Sequence, residues 1–107
     1  MLCMPTFLIT YHGGGGPPAT PEAREQMMSA FMAWAGSVGE DMIDPGAPLG
    51  PSKVVGSDSV TDGDPGDGPG GYTVIKADSL DAAVAHVQRH PFVSRGGTLR
   101  VSEAVAP

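Results

Sequence analysis

Apolar and polar positions alternate over residues 6–12, TFLITYH, with Phe7, Ile9 and Tyr11 on one face and Leu8, Thr10 and His12 on the other. Bulk on both faces predicts a central strand covered on two sides. The run GGGGPPA at 13–19 stops it. The period then changes. Thr20 as N-cap, Pro21 at the first helical position and Glu22 at the positive end of the dipole predict a helix to about Val38. Met27, Phe31, Trp34 and Val38 form its apolar stripe, widened by Met28, Met32 and Ala35, and Gly39 ends it. Residues 41–44 and 52–55 predict one strand interrupted by PGAPLGP, a break that suits a sheet edge. Residues 56–71, rich in Gly, Asp, Ser and Pro, predict a long mobile loop. Tyr72 to Ala77 is a further strand. Asp78 or Ser79 caps a second helix with Leu80, Ala83, Val84 and Val87 as one buried stripe, and Pro91 ends it. Thr98 to Val105, opened by Gly96-Gly97, is the last strand.

The order β-α-β-β-α-β in a single domain, 1–107, predicts a ferredoxin-like α+β fold. Its antiparallel sheet has the order 4-1-3-2, with both helices on one face. The opposite face needs a cover. A second subunit laying its own sheet there makes a dimeric α/β barrel, and a chain this small gains most from such a homodimer.

Charge narrows the partners. Twelve Asp and Glu against six Lys and Arg give a net charge of −6, too acidic to neutralise many phosphates, so no nucleic acid partner is expected. No apolar run reaches the ~20 residues that span a bilayer, and the N-terminus has no signal-peptide pattern, so no membrane partner is expected either. Cys3 stands alone, which excludes an internal disulfide and fits a cytoplasmic setting.

Topology places the candidate chemistry. The end of strand 1, the connection between strands 2 and 3, and the end of helix 2 share one pole. His12 and His90 are therefore expected there together, beneath the acidic 56–70 loop as a lid. Two imidazoles so placed can move protons near neutral pH, with His12 as general base and His90 as acid or electrostatic partner; otherwise both are solvated residues at element ends. Tyr11 and Tyr72 either line a ligand cavity or pack with satisfied hydroxyls. No cofactor and no metal is expected. His86 and His90 have the i, i+4 spacing of metal ligands but no Glu follows the first, and Asp62 to Gly68 lacks the spacing and terminal Glu of a calcium loop. HGGGG at 12–16 has the look of an oxyanion-hole turn without a nucleophile elbow; its amides can bind an anion or simply form a flexible connection.

The ending YHGG of the first strand, Asp67-Gly68-Pro69, Gly70-Gly71-Tyr72, DSLDAAV in the second helix, HPFV after it, and GG-x-L-x-V-x-E in the last strand together resemble the YCII-related family, also called the DGPF domain, over nearly the whole chain. The resemblance implies a ferredoxin-like fold, a dimeric α/β barrel and kinship with mostly uncharacterised bacterial proteins. Some relatives are muconolactone-type dehalogenases, for which a His–Asp pair has been proposed as the site. That pair does not carry over. Gly70 follows Asp-Gly-Pro where relatives have Phe, the first helix has no His, and the corner after the second helix reads His90-Pro91-Phe92 in place of Asp-Pro-Tyr. The expected function is cofactor-free lyase or isomerase chemistry on a small carbonyl or lactone. The alternative is a non-catalytic small-ligand binding or regulatory interaction module.

Overall fold

The computed structural model describes residues 4–13, 19–63 and 68–105. Its elements are β1 (Thr6–His12), α1 (Pro21–Val38), a 3-10 turn (Gly39–Asp41), β2 (Met42–Pro48), β3 (Lys53–Val55), β4 (Val60–Asp62), β5 (Gly71–Lys76), α2 (Leu80–Gln88), α3 (Pro91–Ser94) and β6 (Thr98–Ala104). Four strands form one antiparallel sheet in the order β2-β5-β1-β6, the 4-1-3-2 arrangement of the ferredoxin-like plait.

The capping chemistry acts as the sequence requires. The Thr20 hydroxyl accepts from the Ala23 N–H (3.1 Å), and Ser79 does the same for Ala82 (3.1 Å). The core lies between the sheet and the helices. Phe7 and Ile9 from β1 and Ile75 from β5 are fully buried against Trp34 and Val38 of α1 and Ala83 and Val87 of α2. Burial of each large side chain contributes about 1.5–3 kcal/mol. Trp34 also donates its indole N–H to the carbonyl of His86 (2.8 Å), which accepts the Arg89 N–H as well (3.2 Å) where α2 ends.

Within one chain the helices cover the Phe7–Ile9 face of β1, and Leu8 lies on the face left for a second subunit. Three expectations are corrected. Met28 and Met32 are 61% and 67% exposed and do not widen the buried stripe of α1. On α2 only Ala83 and Val87 are buried, while Leu80 and Val84 reach solvent, because β6 is a sheet edge and the helix overhangs it. The interrupted strand is two separate elements. β2 continues through Pro45-Gly46 by register shifts against β5, whereas Lys53–Val55 leaves the sheet and pairs with Val60–Asp62 in a hairpin inside the expected loop.

The β2 irregularity turns on Gly46, which has φ +77° and packs its α-carbon against the Tyr72 carbonyl. Any Cβ there would overlap that carbonyl. Gly46→Ala is expected to destabilise the fold by ~2 kcal/mol or more, since left-handed strain alone costs about 1–3 kcal/mol. Gly36→Ala, in α1 with open space around it, is expected to stabilise by about 0.5–1 kcal/mol. Thermal melts of both variants check the pair of signs.

Candidate functional site

His90 leaves α2 and begins α3. Its backbone N–H donates to the Val87 carbonyl (2.9 Å), and its side chain caps the next turn, with Nδ1 accepting the Phe92 N–H (3.0 Å). Pro91 therefore starts a helical turn as well as ending one. The imidazole is only 4% exposed and lies among Trp34, Phe31 and Tyr11, with the Trp34 ring centroid 4.3 Å away.

Because Nδ1 accepts, the neutral ring carries its proton on Nε2, 3.0 Å from the Tyr11 hydroxyl. A single direction of donation follows. His90 Nε2–H donates to Tyr11 Oη, Tyr11 donates to Thr73 Oγ1 (2.5 Å), and Thr73 donates to the Pro45 carbonyl (2.9 Å). Every member is satisfied, and among the described residues no buried side-chain polar atom lacks a partner. Burial, aided by the positive charge of Arg95, lowers the His90 pKa from 6.5 to about 4. Burial also raises the Tyr11 pKa, opposed by the bond to Thr73. Both groups are held neutral at pH 7. Tyr11 is thus packed with its hydroxyl satisfied rather than lining a cavity. Its ring stacks on Phe92 at 5.3 Å.

His12 lies one residue beyond Tyr11, so its side chain takes the opposite face of the sheet, where Nε2 meets Thr10 Oγ1 at 2.9 Å. His12 and His90 sit at the same end of the molecule, as the topology requires, but on opposite faces of the sheet. The expectation that they share one cavity is corrected on that ground: topology fixes the end of a strand, and side-chain parity fixes the face.

The open face gathers a different group. Thr10 is directly opposite Tyr72 on β5 and Arg100 on β6, and His12 is opposite Thr98. Side chains directly opposite across an antiparallel pair share a face. An imidazole, a phenol, a hydroxyl and a guanidinium therefore stand together at one end of an uncovered sheet. They can bind an anionic or carbonyl oxygen and exchange a proton beside it. The sequence shows Arg100 and Ser102 alternating with Leu99 and Val101, which places Arg100 on the polar face, but gives it no site role. Residues 14–16 of the glycine loop proposed to bind anions, and residues 64–67 of the calcium-loop segment, lie outside the described residues; of the expected 56–70 lid, Val60–Asp62 forms β4 and pairs with Lys53–Val55. His86 has local partners: Arg89 donates to its Nδ1 (2.9 Å) and its Nε2 is 3.4 Å from Asp41.

A second concavity, of about 330 Å³, lies at the β6 edge between α2 and α3, lined by Leu80, Val84, Val87, Val93, Leu99 and Val101 with Gln88 as its one polar side chain. No helix among the described residues is long and apolar enough to cross a membrane.

The family model of the YCII-related domain matches residues 4–103. No curated protein matches the chain significantly. Among solved structures, the chain is similar to 5-chloro-2-hydroxyhydroquinone dehydrochlorinase (TftG) from Burkholderia phenoliruptrix AC1100, in complex with 2,5-dihydroxybenzoquinone. The TM-score is 0.57 and the identity 19%, over 95% of each chain. At that identity the likeness carries the fold.

The buried imidazole sets a pH dependence. A His whose folded pKa lies below its unfolded value keeps its full stabilising contribution above about 6.5; the unfolded state then binds the extra proton as pH falls. Stability is lost from about pH 6.5 down to the folded pKa of about 4, by an amount on the order of 3 kcal/mol. Comparing melting temperatures across that window for the wild type and for His90→Asn, which keeps an N-cap, tests this. The wild type is expected to lose more stability on acidification; equal slopes would refute the assignment.

Proposed function

Since the chain belongs to the YCII-related family, we propose that it is a cofactor-free lyase or isomerase acting on a small hydroxylated carbonyl or quinone-like molecule at the open sheet face. One observation carries this reading: His12, Thr10, Tyr72 and Arg100 gather on that face, while both nitrogens of His90 are engaged within the covered core. The dehydrochlorinase described above, with its bound dihydroxybenzoquinone, supports the choice of substrate class.

His12 is the general base. With Thr10 accepting from Nε2–H, Nδ1 keeps a lone pair for a substrate proton. The proton leaves a carbon next to a carbonyl, and the bonding electrons move onto the carbonyl oxygen beside Arg100 and Tyr72. Return of the proton to a different carbon completes an isomerisation; expulsion of an anionic leaving group completes an elimination. Neither outcome needs an external oxidant or reductant. His90, assigned as the acid or electrostatic partner from the sequence, serves instead to anchor Tyr11 beneath the site. A second copy facing the open sheet would exclude water from it, and the lone cysteine is consistent with a cytoplasmic setting.

The alternative, a non-catalytic small-ligand binding module, draws on the apolar concavity at the β6 edge, whose lining suits an apolar ligand and offers no acid–base group. Titrating 2,5-dihydroxybenzoquinone into the protein while following backbone amides and imidazoles by NMR separates the two. The catalytic reading expects shifts at His12, Tyr72 and Arg100, and at least a tenfold weaker binding constant for Arg100→Ala. Shifts confined to Val84, Val93 and Leu99, with His12 unmoved, would overturn it in favour of the binding module.

A further inference from the structure

Among the described residues β1 takes part in two hydroxyl–imidazole pairs, one on each face of the sheet. Tyr11–His90 is enclosed: the second nitrogen of His90 caps Phe92, and the Tyr11 hydroxyl is bonded to Thr73 as well. Thr10–His12 is open. Its members are half-buried on the face that the helices leave uncovered, with Oγ1 and Nε2 2.9 Å apart. That bond has two forms. With the ring proton on Nε2, Thr10 accepts and Nδ1 is the base, as in the proton abstraction above. With the ring proton on Nδ1, Nε2 accepts from the Thr10 hydroxyl, and a base is in contact with a nucleophile.

The groups beside Thr10 complete the chemistry. Tyr72 on β5 and Arg100 on β6 are directly opposite it, one on either side. Side chains paired in this way have Cβ atoms about 4.5–5.5 Å apart. A carbonyl attacked by Thr10 therefore develops its negative charge between a phenol and a guanidinium. β1, β5 and β6 put no carboxylate on this face, so no acid of these strands competes for the Arg100 charge. Thr98, opposite His12 on β6, adds a hydroxyl to the same face, where it can accept the Nδ1 proton's hydrogen bond.

The same register limits the substrate. A nucleophile–base pair without a carboxylate to steady the imidazolium lacks the third member that amide hydrolysis relies on. The pair suits carbonyls whose leaving group is good or strained: activated esters and lactones. One strand repeat from Thr10, about 6.8 Å along β1, Leu8 lies opposite Val74. These two give an apolar floor for a short acyl chain or a single ring.

We propose that Thr10 and His12 form a nucleophile–base dyad that hydrolyses small lactones and short-chain esters through an acyl-Thr10 intermediate. Thr10 Oγ1 bonds to the carbonyl carbon while its proton passes to His12 Nε2, and the carbonyl oxygen becomes an oxyanion beside Arg100 and Tyr72. The C–O bond to the leaving group breaks, and the departing alcohol takes the proton from Nε2. Water then attacks the acyl group with His12 again as base, which releases a carboxylic acid and restores the Thr10 hydroxyl. This is a further activity of the same face, distinct from the elimination or isomerisation proposed above. Hydrolysis of p-nitrophenyl acetate by the full chain tests it, in a Cys3→Ser background that removes the thiol. A burst of nitrophenolate is expected, with the acetyl group on Thr10 when the acid-quenched protein is mapped by mass spectrometry. Thr10→Ser is expected to keep the burst, and Thr10→Val and His12→Gln to slow acylation by about a hundredfold or more with unchanged far-ultraviolet spectra. Absence of acetyl on Thr10, acetyl on His12 in its place, or acylation that survives in Thr10→Val would overturn the dyad. The readout involves no dihydroxybenzoquinone, and the titration with that compound involves no acyl transfer, so the two assignments fail separately.

Discussion

The Tyr11 hydroxyl is the point on which the rest of the architecture depends. Through it a hydrogen-bonded chain with one direction runs from the corner between α2 and α3, across β1 and β5, to the carbonyl of Pro45 in the bulged edge strand. Apolar packing brings these elements together but does not set their register, because it is tolerant of small slips. A buried chain of polar groups is not tolerant: a displaced member leaves a neighbour unpaired at a cost of about 1–3 kcal/mol. Phe31, Trp34 and Phe92 surround the chain and keep water from competing for it.

The same chain divides the molecule by function. An imidazole with both nitrogens committed, held neutral in an aromatic box, is a building component. The polar side chains His12, Thr10, Tyr72 and Arg100 stand on the other side of the sheet, beginning one residue further along β1. The two faces of a single strand thus differ: Tyr11 fixes the scaffold, and His12 lies on the face that the helices do not cover. A fold shared at 19% identity transmits the scaffold; the chemistry depends on which residues occupy the open face.

Much of the fold was legible in the sequence. The order β-α-β-β-α-β, the two caps and the stripe of Phe31, Trp34 and Val38 left one arrangement of the sheet. The site was half legible. The alternation of Phe7, Ile9 and Tyr11 against Leu8, Thr10 and His12 was plain, and assigning the heavier Phe7–Ile9 side to the helices would have put His12 on the open face. His90 was harder, since a residue between two helices has no parity to read; its direction follows from the cap it makes to Phe92. The hairpin was hidden because Pro45, Pro48 and Pro51 made the region look uniformly irregular. Its strands are only three residues each, and its Lys53–Asp62 pair is visible only once the pairing is known.

The break in β2 has a further effect. An edge strand offers a row of unpaired amides and carbonyls on which other chains can stack, and this is how sheets grow into aggregates. Pro45 has no amide to offer, and the register shifts around Gly46 bend the row out of line. That margin of the sheet is therefore closed to uncontrolled growth. The opposite margin, β6, is regular over seven residues and guarded mainly by the charges of Arg100 and Glu103. The sheet is protected by covalent geometry on one side and by electrostatics on the other, so only the second safeguard weakens as ionic strength rises.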